Sequence, residues 1–216
     1  MNSDHRLQKA VIEQLDFDPS INSSHIGVTA RDGIITLSGH VPSFGERRAA
    51  EAAAGTVKGV KVVIDQLAVE IPAHRQTSDE EVAERAYARL ASNLSVPLDR
   101  IHLSVENGVV TLRGDVTWHY QRLAAEEDLH KLDCVRGVNN DVMIKSPVEP
   151  EKVHEKIHEA LARIAPIEAD NIEVSAEGGR VTLIGTVNSW HEKGLVESAV
   201  WSVPGVTEIV DRIKLA

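Results

Sequence analysis

The strongest constraint on how this chain can fold is an internal repeat. With Gly39, Gly114 and Gly185 in one column, GIITLSGHV (33–41), GVVTLRGDV (108–116) and GRVTLIGTV (179–187) align without a gap. The register holds upstream, where Leu7/Val82/Val153, Val11/Ala86/Ile157 and Leu15/Leu90/Leu161 share columns. It also holds downstream, through Glu51/Glu126/Glu197, Val60/Val135/Val206 and Leu67/Val142/Ile213. Self-similarity over that length means one supersecondary unit built three times. The ungapped units are 7–69, 82–144 and 153–215, and with their flanks they predict domains at 1–72, 78–146 and 148–216.

Each unit reads helix, strand, strand, helix, strand. Leu7, Val11 and Leu15 at i, i+4 and i+8 mark one buried helical stripe. Ser78-Asp-Glu-Glu81 predicts a capping box at the start of the second copy's first helix, and Pro150 a first-turn proline in the third. Ile26–Arg31 and Ile34–Leu37 are rich in β-branched residues and flank Asp32-Gly33. Asn107-Gly108 and Gly178-Gly179 stand at the same place, so all three are expected to form tight hairpins with positive φ. A helical crossover makes the second and third strands parallel, and two helices can cover only one face of so small a sheet. The fold class is therefore α+β: three tandem αββαβ domains, each a small mixed three-stranded sheet covered by two helices. Short linkers (70–81 and 145–152) stiffened by Pro72, Pro147 and Pro150 join them. The repeats are expected to pack through sheet faces or helix flanks.

Eight glycines carry structural expectations: Gly33, Gly108 and Gly179 in the hairpins, Gly39, Gly114 and Gly185 in the column, and Gly59 and Gly205 at the second helix's exit. The last two read as left-handed helix caps. Cys134 fills that place in the second copy, where it is expected to sit under backbone strain.

A formal net charge of −10 argues against nucleic acid as a partner. The charged N-terminal stretch has no apolar signal-peptide core, and no apolar run approaches a membrane span. With one cysteine in the chain, these features give the expectation of a cytoplasmic protein without a transmembrane segment.

The αββαβ unit with G-x-[VI]-T-L-x-G-x-V, an Ala-Ala-Glu-type second helix and an exit Gly-Val resembles the BON domain, in three tandem copies. The resemblance implies a bacterial, non-enzymatic module of osmotic-stress or envelope physiology, without a cofactor. It implies a phospholipid surface or a protein as partner. A relative joining this domain to a LysM domain resembles a potassium sensor, so a monovalent or divalent cation is the alternative ligand, with the Asp65/Asn140/Asp211 column as candidate.

The candidate contact residues cluster where the second strand turns into the second helix. Phe44, Trp118, Tyr120 and Trp190 lie there, beside Arg47, Arg48, His119, Arg122, His191 and Lys193, in a chain with 3% aromatics. The rings either seat the helix or meet a headgroup or partner. Trp190 aligns with Phe44 and is expected to seat the helix, whereas Trp118, one place earlier, is the expected contact residue. The basic residues beside them are candidates for an anion-facing patch, although a solvated helical face accounts for them more simply. His154-Glu155-Lys156-Ile157-His158 matches H-E-x-x-H, the pattern of a zinc hydrolase. The aligned helices carry Gln8/Ile12 and Ala83/Tyr87 at the two His positions, so a metal site is not expected.

Overall fold

The spacing of Val11 and Leu15 puts both on one face of α1 (Ser3–Phe17), and that face is fully buried. A computed structural model describes residues 3–146, 153–163 and 172–215 of the chain. In the first repeat α1 is followed by β1 (Ile26–Arg31), β2 (Ile34–Val41), α2 (Phe44–Thr56) and β3 (Val62–Val69). β2 is central, antiparallel to β1 with Ile26 opposite Gly39, and parallel to β3 with Ile34 opposite Val62. The second repeat comprises α3 (Asp79–Ala91), β4 (Ile101–Glu106), β5 (Val109–Val116), α4 (His119–His130) and β6 (Gly137–Ile144). The third comprises α5 (Val153–Ala162), β7 (Ile172–Glu177), β8 (Arg180–Val187), α6 (Trp190–Trp201) and β9 (Glu208–Leu215). Strand order is the same in all three sheets.

The core of the first repeat joins Val11 and Leu15 of α1 to Ile35, Leu37 and Val41 of β2 and to Ala50, Ala53 and Ala54 of α2. The alanines let α2 lie close on the sheet, and each fully buried Leu or Ile contributes ~1.5–3 kcal/mol. In the third repeat Val181, Leu183 and Val187 of β8 pack against Val196, Ala199 and Val200 of α6.

Two glycines of the column, Gly39 and Gly114, are required twice over. Gly39, Gly114 and Gly185 have φ of 111°, 133° and 157°. A Cβ on Gly39 would stand 2.0 Å from the His25 carbonyl oxygen, and one on Gly114 would stand 2.1 Å from that of Arg100.

Both turn residues have positive φ in the first two hairpins, Asp32-Gly33 (53° and 86°) and Asn107-Gly108 (53° and 76°), as a type I′ turn demands. The third hairpin departs from the expectation: Gly178 has φ of 60°, but Gly179 lies outside the left-handed region. Gly179 is constrained by crowding instead, since a Cβ there would meet Thr207 Oγ1 at 2.5 Å and the Gly205 carbonyl oxygen at 2.6 Å. In all three copies this glycine's carbonyl accepts an amide hydrogen bond of 2.8 Å, from Lys61, Arg136 or Thr207, at the start of the parallel pairing.

The exit glycines are not helix caps. α2 ends at Thr56 with an extended Val57, and Gly59 (φ 98°) is the third residue of a turn in which the Val60 amide donates to Val57 at 3.1 Å. Gly205 (φ 103°) repeats this after Pro204, with Val206 donating to Val203 at 3.3 Å. Proline second and glycine third suit a type II turn. The second copy closes the same turn from Val135 to Leu132 at 3.4 Å, but Cys134 has no positive φ and is 3% exposed. The strain expected at Cys134 is absent because the turn there takes another form.

Ser78 caps α3, accepting from the Glu81 amide at 3.3 Å, while the Glu81 carboxylate pairs with Arg85 at 2.5 Å. Pro147 and Pro150 lie outside the described residues. By contact the chain separates into two units. The first takes in the chain up to Leu94, Leu103–Leu112 and Ala125–Asn140; the second takes in Ser95–His102, Arg113–Ala124 and the chain from Asp141 onward. Ile34, Val62 and Ile64 on the first sheet remain exposed. No helix among the described residues is long and apolar enough to cross a membrane.

Candidate contact surface at the aromatic corner

The corner is built from a helix N-terminus, whose first amides need acceptors. Ser43 accepts from the Glu46 amide at 3.2 Å and Ser189 from the Glu192 amide at 3.1 Å. In the second copy Trp118 stands in the serine's column, which accounts for its displacement by one residue. Gln121 takes over the capping: its Oε1 accepts from the amides of Thr117 and Trp118, both at 3.0 Å.

The next column, Phe44/His119/Trp190, holds a ring in every copy, but the rings do not share a task. In the first unit Phe44 meets His130 edge-on, with centroids 5.1 Å apart. In the second unit His119 stacks on Trp201, with centroids 4.0 Å apart and planes at 14°. Trp190 is 36% exposed, with the Lys193 ammonium 5.3 Å from its ring centre. Trp190 thus does not repeat the Phe44 contact, and its ring meets Lys193 of its own helix instead. Trp118, the expected contact residue, is half-buried. The His191 side chain lies outside the described residues.

The basic residues are mostly committed within the fold. Arg47 Nε pairs with Asp65 at 2.7 Å, Lys193 with Asp211, and Arg48 with Glu51 at 2.9 Å. Arg122 is half-buried and also has an interaction partner. The second carboxylate oxygens of Asp65 and Asp211 accept from the amides of Leu67 (2.9 Å) and Ile213 (2.8 Å). Asn140 donates to Glu126 at 3.0 Å. Two features proposed separately from sequence, an anion-facing basic patch and a cation-binding acidic column, therefore largely pair with each other. Among the described residues no group of three or more His, Cys, Asp or Glu side chains is placed to hold a metal ion. His154 and His158 are exposed on α5 with ring centroids 4.7 Å apart.

A groove of about 670 Å³ lies in the second unit, between the first turns of α4 and the last turns of α6. Trp118, His119, Tyr120 and Leu123 line one side, and Glu197, Ser198 and Trp201 the other. Tyr120 and Leu123 are 57% and 44% exposed. Burial, and then the nearby Asp211 carboxylate, push the Glu197 carboxyl above the usual carboxylate range, with Lys193 offsetting part of this. The groove offers rings, hydroxyls and one carboxyl group, a set suited to contact and hydrogen bonding. Trp118, His119 and Tyr120 are legible from the sequence as a cluster. Trp201 is not, because its column holds Gly55 and His130 in the other copies, and its partner His119 is more than eighty residues away.

The BON domain family matches the chain over residues 3–71, 78–146 and 151–216. The chain belongs to the BON domain family. Among curated relatives, this BON chain is similar to Osmotically-inducible protein Y of Escherichia coli (strain K12), with 31% identity over 130 residues. That match covers 58% of the chain and 65% of the relative, just under two thirds of the relative's length. Among solved structures, the BON chain is similar to the C-terminal domain of CdsD, a structural protein of the type III secretion system of Chlamydia trachomatis. Identity there is 19%, with a TM-score of 0.27 and 97% of each chain covered. The PrgH periplasmic domain is similar at 10% identity and a TM-score of 0.21, covering 90% of this chain and 96% of that one.

Proposed function

We propose that this BON protein is a non-enzymatic, stress-related binding module that contacts a phospholipid surface through the groove between α4 and α6. The observation that carries the reading is the exposure of Tyr120 and Leu123 beside half-buried Trp118. Tyrosine and tryptophan suit an interface that is apolar on one side and wet on the other. Membership of the BON family supports phospholipid as the target, and the osmotically inducible relative supports a stress role. Because Arg47 and Lys193 already face Asp65 and Asp211, attachment rests on the rings more than on charge. Those pairings also tell against the cation-sensing alternative. A cytoplasmic location is proposed with it on the single cysteine alone, and cell fractionation tests that.

The functional test is vesicle sedimentation of the full chain with phosphatidylglycerol-containing and with zwitterionic vesicles. Binding should change little as salt is raised from about 0.1 to about 0.5 M, a range over which charge-driven adsorption weakens. Tyr120→Ser with Leu123→Ser should weaken it about tenfold, equivalent to ~1.4 kcal/mol, without lowering the melting temperature. Failure of the unaltered protein to bind either vesicle would overturn the phospholipid target and leave a protein as the partner.

A further inference from the structure

Two junctions between repeats, one in each unit, are made by the same rule. The ring at the start of a second helix packs on the residue that ends the second helix of the following repeat. Phe44 of the first repeat meets His130 of the second, and His119 of the second meets Trp201 of the third. The starting residues form the column Phe44/His119/Trp190, and the ending residues form the column Gly55/His130/Trp201. At the first junction the approach is so close that a Cβ on Gly45 would stand 2.8 Å from the His130 carbonyl oxygen.

Two members of these columns remain, and they are complementary. Trp190 is a large ring left 36% exposed at the start of α6. Gly55 lies in the last turn of α2, with nothing within 4 Å of where its Cβ would be. A helical glycine is less favourable than alanine, and nothing around Gly55 requires one. The open space over it would receive a large ring, just as the second helix's end meets Phe44 and the third's meets His119. Each observed junction combines two rings; the remaining pair combines the bulkiest starting residue with the smallest ending one.

We propose that the chain associates head to tail with a second copy of itself, Trp190 of one copy seated over the Gly55 end of α2 in the next. Such a contact extends the interface already used twice along the chain. It is heterologous, so it builds a ring if the rotation closes and an open filament if it does not. It does not depend on the groove at Tyr120, and it is read without vesicles.

The test is sedimentation velocity of the full chain over a concentration series, with Trp190→Ser and Gly55→Glu. The unaltered protein should form oligomers below about 1 mM, the weak end of specific association. Each variant alone should lose at least about tenfold in association constant. Gly55→Glu should keep its melting temperature, since nothing stands within 4 Å of a Cβ there, and Trp190→Phe, which keeps a ring over Lys193, should associate more strongly than Trp190→Ser. An equimolar mixture of the two variants should recover a dimer and nothing larger. In that dimer the intact Trp190 of the Gly55→Glu chain meets the intact Gly55 of the Trp190→Ser chain. A monomeric unaltered protein at all these concentrations, or a mixture that fails to dimerise, would overturn the proposal.

Discussion

Phe44 packs edge-on against His130, with ring planes at 73°, so that a helix start in one repeat rests on a helix end in the next. His130 Nε2 is buried without a hydrogen bond. The nearest Glu126 carboxylate oxygen is 3.5 Å away, an ion-pair distance that is long for a hydrogen bond. Burial holds the imidazole below its ordinary range, Arg48 adds to this, and Glu126 and Glu127 oppose it. The folded junction therefore favours the neutral ring. Its contribution to stability is fully present above the unfolded value of about 6.5 and is lost as pH falls through the lower folded value. The melting temperature should fall as pH drops below about 6.5, and His130→Phe should remove part of that slope. Equal slopes in the two proteins would show that the junction does not sense protons.

Two glycines with similar φ should respond very differently to alanine. Gly39→Ala adds a Cβ 2.0 Å from a backbone carbonyl at φ 111°, whereas Gly59→Ala, at φ 98°, meets only Leu7 Cδ1 at 3.5 Å. The second change should cost ~1 kcal/mol, the scale of an unfavourable φ, and the first ~3 kcal/mol or more. Urea unfolding of the two variants measures the difference, and comparable losses would mean that the close approach relaxes easily.

Cys134→Gly should destabilise by ~1–2 kcal/mol, because it removes a buried side chain and loosens a turn that needs no positive φ. A rise in melting temperature would place Cys134 in the left-handed geometry of Gly59 and Gly205 after all.

Asp128 is a buried acid standing where the other repeats have Ala53 and Ala199. Burial works to raise its pKa, yet hydrogen bonds from Asn93 (2.6 Å) and Arg89 (2.9 Å), with Lys131 nearby, bring it below the usual carboxylate range. Arg89→Met leaves the buried charge short of a partner and should cost ~1–2 kcal/mol, less than a fully buried pair because Arg89 is 41% exposed. Asp128→Ala should cost less, since it restores the residue of the sibling repeats and leaves Arg89 to solvent. The stability Asp128 contributes is present above its unfolded pKa and lost as pH falls through the lower folded value. Acid unfolding of Asp128→Ala should therefore lack that component, and an unchanged acid profile would show that the pair contributes nothing.

The sequence by itself determined what is local or periodic. The Val11/Leu15 stripe, the β-branched strands, the two positive-φ hairpins and the positive φ of Gly39 and Gly114 follow from backbone sterics and from burial of one face per element. Those terms act between residues near in sequence or paired in register, and the threefold repetition made them readable. Only the tertiary structure decided how identical columns are used. Phe44 and Trp190 share a place in the repeat, yet one packs on His130 and the other meets Lys193 and solvent. Asp65 and Arg47 suggested two different ligands until the crossover brought the carboxylate within 2.7 Å of the guanidinium. A ring or a charge carries no mark in the sequence of which distant residue will satisfy it. Packing and pairing energies depend on three-dimensional neighbours, and at the junctions those neighbours come from another repeat.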